Sequence, residues 1–200
     1  MRALERAFAQ TRIRALEVAP ALLRVAELFH ETRNSVRMAI AQFELDLDPA
    51  YVFFLTRNRL PETRFFYELF RGLDFLEVVP DVGPMRWSPL TLNDTYEGRS
   101  IGQSQGLKLI DGWSAFSTLA SWIRQGGIHH NVDPPDDRDT LALVVDAARA
   151  VFSGQMDQGS CYRSSVPWSD WFDAESFDTT LVFIDHATGR LSVLMLTDSP

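Results

Sequence analysis

The sequence predicts an α+β fold built as a single domain over residues 1–200, and three observations carry that expectation. Apolar residues recur at helical spacing in several stretches, a period-two alternation around a glycine turn closes the chain, and helices and strands do not alternate in the regular units of a doubly wound parallel sheet. About five helices and a mostly antiparallel sheet ending in a β-hairpin follow. With 46% hydrophobic residues, a chain of this size can bury roughly 70% of its unfolded surface without staples.

Each element has its own signal. Residues 2–18 are rich in Ala, Leu, Arg and Glu, with Leu4, Phe8 and Ala15 on one face, and Pro20 opens a second helix carrying Leu22, Val25, Ala26 and Phe29 as far as Asn34. An N-terminal helical hairpin over 1–34 is expected. From Val36 the period becomes two, but its phase reverses near Ala41, since Val36, Met38 and Ile40 are followed by Phe43, Leu45 and Leu47. A bulge or a helix-to-strand junction accounts for such a flip. Asp48 and Pro49 then signal a turn into a second strand over 51–56.

Pro61 and Gly72 bracket a helix whose Phe66, Leu69, Phe70 and Leu73 face the core, and 75–79 reads as a short strand. Residues 80–112 hold Gly83, Gly98, Gly102, Gly106 and Gly112 with Pro80, Pro84 and Pro89, the composition of a loop with short extended pieces. Trp113, Phe116, Leu119, Ala120 and Ile123 make a helix, and Leu141, Val144, Val145, Ala148 and Val151 another. Residues 180–184 and 191–197 flank the turn from Asp185 to Arg190, with Gly189 available for positive φ. Their face of Val182, Ile184, Val193 and Met195 is expected in the core.

Charge and cysteine usage narrow the function classes. Residues 1–71 carry eleven bases and nine acids, residues 72–200 eight bases and eighteen acids, giving +2 and −10 within a total of −8. A negative C-terminal part repels phosphate backbones and suits a basic protein partner, so no direct nucleic-acid binding is expected. The single Cys161 excludes an internal disulfide framework, no export signal or membrane-length apolar run is visible, and a cytoplasmic location is expected. Cys161 itself reads as an inert core thiol. No Walker A or dinucleotide loop is present, and no cofactor is expected.

Four constellations carry possible chemistry. Trp168, Asp170, Trp171, Asp173 and Asp178 interleave aromatic rings with acids, the composition of an interface anchor with a steering rim, although the rings also suit a cap over the final hairpin. Glu44, Asp46 and Asp48 share one strand face and join them as partner-binding candidates. His129, His130, Asp133, Asp136 and Asp137 have metal-binding side chains, but the acids are better explained as caps of the next helix, and no metal is expected. Gly102-Gln103-Ser104-Gln105-Gly106 resembles the nucleophile elbow of α/β-hydrolases, which implies Ser104 as nucleophile and His186 as its base. The polar stretch 95–100 before it is no buried strand. The reading expected is therefore a non-enzymatic acidic binding module of the inhibitor, immunity-like or adaptor kind, with a small serine hydrolase as the alternative.

Overall fold

A computed structural model describes residues 12–32, 36–46, 66, 69–84, 95–96, 99–100, 107–125, 135–153, 156, 159–172 and 178–198. In chain order these form β1 (Arg12–Leu16), α1 (Pro20–Thr32), β2 (Val36–Asp46), α2 (Leu73–Val78), a 3-10 turn (Pro80–Val82), β3 (Thr95–Tyr96), β4 (Arg99–Ser100) and β5 (Lys108–Ile110). They continue with α3 (Gly112–Gln125), α4 (Asp137–Val151), β6 (Gly159–Ser164), β7 (Thr179–Asp185) and β8 (Arg190–Asp198). Six strands make one antiparallel sheet in the order β1-β2-β8-β7-β6-β5, and β3 and β4 form a separate two-stranded ribbon. The fold is α+β.

Both faces of that sheet are covered. Ala41, Phe43, Leu45, Tyr162, Val182, Ile184, Leu191, Val193 and Met195 point into an aromatic core with Phe66, Phe70, Phe75, Trp168, Trp171 and Phe172. On the opposite face, Cys161, Leu181, Phe183, Leu194 and Leu196 pack under α1, α3 and α4, where Phe116 stacks on Phe183 at 5.2 Å. Alternation sends successive residues of one strand to different cores. Every residue of β7 is buried for that reason, whereas the alternation around Gly189 predicts one covered face.

The C-terminal hairpin forms as the sequence predicts. Its turn places Gly189 at φ 70°, and the Gly189 N–H donates to the Asp185 carbonyl at 2.8 Å. Pro20 opens α1 at its first position, and the Ala19 carbonyl accepts from Leu22 and Leu23. Gln42 fastens that helix start to the sheet, since its Oε1 accepts from the Ala19 N–H at 2.7 Å while its Nε2 donates to Ser192 Oγ at 2.9 Å.

Several expectations need correction. Residues 12–16, assigned to the first arm of a helical hairpin, are strand β1, because pairing with β2 along five positions outweighs their helix propensity. Residues 1–11 lie outside the described part. The phase flip near Ala41 is no bulge, because β2 runs in unbroken register with β8 from Val36↔Asp198 to Glu44↔Arg190. Its first half meets the helical core and its second half the aromatic core, so the buried parity changes while the strand continues. Residues 75–78 belong to α2 rather than to a strand, and Leu73, placed in the core by spacing, is 77% exposed at its start. Trp113 is 75% exposed, and Leu141 and Val145 also face outward, because the buried stripes run through Ala115, Phe116, Leu119 and Ile123 on α3 and Thr140, Val144, Ala147 and Val151 on α4. The strand expected at 51–56 lies outside the described residues.

Candidate functional site

The aromatic-acid segment folds inward. Trp168 is fully buried, stacks on Phe70 at 4.8 Å with ring planes 4° apart, and donates from Nε1 to Thr180 Oγ1 at 2.8 Å. Trp171 is buried edge-on against Phe172, with the Arg37 guanidinium 5.5 Å from its ring centre. Asp178 is 1% exposed and accepts from Thr197 Oγ1 at 2.6 Å. A partner cannot reach these rings or this carboxylate on the folded surface, which corrects their assignment as contact residues. The capping alternative describes them instead. Asp170 is exposed, and Asp173 lies outside the described residues.

The acidic stripe is met from within the chain. Arg14 Nε donates to Glu44 Oε2 at 2.9 Å, and Arg12 stands opposite Asp46 in the β1–β2 register. An exposed pair of this kind contributes about 0–1 kcal/mol, but it does lower the charge offered to a partner. Asp48, Ser104, His129, His130 and Asp133 lie outside the described residues. Asp136 caps α4, its Oδ1 accepting from the Asp139 N–H at 2.8 Å, as the capping reading requires. Among the described residues no group of three or more His, Cys, Asp and Glu is placed to hold a metal. Burial, aided by the negative Asp111, pushes the Cys161 thiol up to about 12, which leaves it protonated and inert.

His186 has a serine partner that the sequence reading missed. Ser160 Oγ lies 2.8 Å from His186 Nε2, because β6 pairs with β7 in a register that puts Ser160 opposite Ile184, two residues before the histidine. Burial holds the imidazole below the usual histidine range, although the neighbouring Asp185 pulls the other way, so the ring is neutral at pH 7. Asp185 accepts from the Ser153 N–H (2.9 Å), Ser153 Oγ (2.6 Å), the Ala187 N–H (3.0 Å) and Thr188 Oγ1 (2.8 Å). Burial would raise that carboxyl, but those hydrogen bonds outweigh it and hold the group below its ordinary value. Its role is to lock the turn that presents His186.

Ser160 also lines an open groove of about 530 Å³ with Leu109, Ile110, Asp111, Gly112, Trp113, Met156, Gly159 and Cys161. The groove lies where β5, last in the sheet order, hands over to α3. Trp113 (75% exposed) and Leu109 (61% exposed) give it apolar surface. Asp111 caps α3 by accepting from the Ser114 N–H at 2.8 Å, and the Ser114 hydroxyl and backbone hold its carboxyl below the ordinary value. It therefore stays charged through mildly acidic pH. A helical wheel can find Trp113, which at 100° per residue stands roughly 100° from the centre of the buried stripe. No family model, curated protein or solved structure matches the chain.

Proposed function

We propose that this chain is a non-enzymatic protein-binding module of the inhibitor, immunity-like or adaptor kind, docking on a basic protein partner through the Leu109–Trp113 groove. The observation that carries this reading is the exposed tryptophan beside an ionised aspartate, in a chain of net charge −8. Tryptophan is among the commonest energetic anchors of interfaces, and surrounding acids accelerate the approach of a cationic surface. A cytoplasmic setting suits the protonated thiol of the single cysteine, and the acidic balance favours protein over nucleic acid. No helix among the described residues is long and apolar enough to cross a membrane.

The test is affinity capture from the native host with the parent and with Trp113→Ala, followed by stopped-flow kinetics on the captured partner. A basic partner retained by the parent and released faster by the variant is the expected result. Its association should slow as salt shortens the Debye length from roughly 30 Å at 0.01 M to 10 Å at 0.1 M. Equal retention by both proteins, or a partner without net positive charge, overturns the proposal.

One observation favours a second reading. The Ser160–His186 contact fits a serine hydrolase whose nucleophile is Ser160 in place of Ser104, with neutral His186 accepting the hydroxyl proton during attack on an ester carbonyl. Fluorophosphonate labelling distinguishes the readings. Label on Ser160 that disappears in His186→Gln supports the enzyme, label on Ser104 restores the elbow, and an unlabelled chain leaves the binding module.

A further inference from the structure

The only lysine of the chain, Lys108, stands directly opposite Arg163 where β5 pairs with β6. Opposed residues of an antiparallel pair share a face, with Cα atoms about 4.5–5.5 Å apart, and like charges so placed repel. Neither side chain has an ion-pair or hydrogen-bond partner among the described residues. The Arg163 guanidinium instead lies 5.6 Å from the centre of the Trp122 ring, and its Nε is buried without a hydrogen-bond acceptor. Lys108 is exposed and Arg163 half-buried, so the pair reaches the surface on the helix-covered face of the sheet.

We propose that Lys108 and Arg163, backed by Trp122, form a binding site for a phosphate-type dianion, the head of a phosphate monoester. Three features select that chemistry. The terminal N–H groups of the Arg163 guanidinium have no acceptor among the described residues, and an oxyanion presents several acceptors on one small group. Arginine offers a planar fork that suits phosphate oxygens, while lysine adds a compact charge beside it. Two adjacent cations are neutralised by a charge of −2, whereas a carboxylate leaves one of them unmatched. Trp122 fixes the guanidinium plane through its ring face, which lowers the ordering needed on binding. The site is distinct from the docking groove in its residues, since neither Lys108 nor Arg163 lines that groove.

Isothermal titration of the full chain with inorganic phosphate, phenyl phosphate and acetate, at ionic strength matched with chloride, tests the site. Saturable one-to-one binding of phosphate is expected, with acetate at least about tenfold weaker. Tighter binding of phenyl phosphate identifies an organic monoester as the source, and equal affinity identifies free phosphate. Lys108→Gln and Arg163→Gln should each weaken phosphate about tenfold or more, a factor equal to about 1.4 kcal/mol. Lys108→Glu sharpens the test, because it places an acid opposite Arg163 and should raise the melting temperature of the free protein while abolishing phosphate binding. If Arg163→Gln fails to fold by circular dichroism, the two Lys108 variants still decide. Absence of saturation, acetate as strong as phosphate, or phosphate binding unchanged in Lys108→Glu overturns the proposal.

Discussion

Trp168 and Trp113 both stand within two residues of an aspartate, yet one is fully buried and the other 75% exposed. Trp168 lies in a segment laid across the sheet, where Phe70, Phe75 and Phe172 surround its ring and Thr180 takes its N–H. Trp113 lies in the first turn of α3, on the flank of a stripe already filled by Phe116 and Leu119. Aromatic-acid composition alone does not separate an interface anchor from a core plug. What separates them is whether the surrounding pattern directs the ring toward a partner layer within the chain.

That contrast can be broken in graded steps. Trp168→Ala should have the largest effect, a loss of about 3–5 kcal/mol in denaturant unfolding, since it empties the middle of the aromatic core. A loss under about 1 kcal/mol would show that the segment does not hold the sheet. Gly159→Ala comes next, because a Cβ there would clash with the Phe152 ring and meet the Ile184 carbonyl at 2.7 Å. About 2–3 kcal/mol is expected, and Phe152→Leu should recover part of it by clearing the ring.

Asp185 and Asp111 repeat the contrast in carboxylates. Asp185→Asn should cost about 1.5–3 kcal/mol at pH 7, because its acceptors serve four donors at the hairpin turn. The folded carboxyl sits below its unfolded value, so its stabilisation is fully present above the unfolded pKa of about 4 and is lost as pH falls through the folded value. The gap between parent and variant should therefore narrow in acid, and a gap independent of pH would contradict this assignment. Trp113→Ala should change stability least, within about 0.5 kcal/mol, while altering partner dissociation. A large loss of stability there would return Trp113 to the core.

Much of the fold was legible where one physical signal dominated. The hairpin around Gly189, the first-turn Pro20 and the cap Asp136 each follow from local chemistry, and each occurs as predicted. Errors arose where long-range contacts decide. Arg12–Leu16 has helical composition and becomes a strand because β2 offers an edge, and β2 changes its buried parity because two cores cover different halves of it. The candidate site was less legible for the same reason. His186 was picked out from the sequence, but Ser160 meets it only through the β6–β7 register, and Lys108 meets Arg163 only through β5–β6. No local spacing encodes either pair.

The sheet order also constrains how the protein is made. β8 lies between β2 and β7, so β2 cannot find its inner neighbour until the chain from Asp46 to Arg190 and beyond has been synthesised. At the usual pace of 5–20 residues per second, that leaves β2 with an open edge for roughly 7–29 s on the ribosome. Such an edge invites pairing between nascent chains. β1 covers the other edge of the end of β2, where Arg12 and Arg14 stand opposite Asp46 and Glu44, so only the inner edge of β2 waits. β7 and β8, by contrast, are joined by a tight turn and pair with each other almost as soon as both emerge, making their hairpin the template on which the earlier strand closes the sheet.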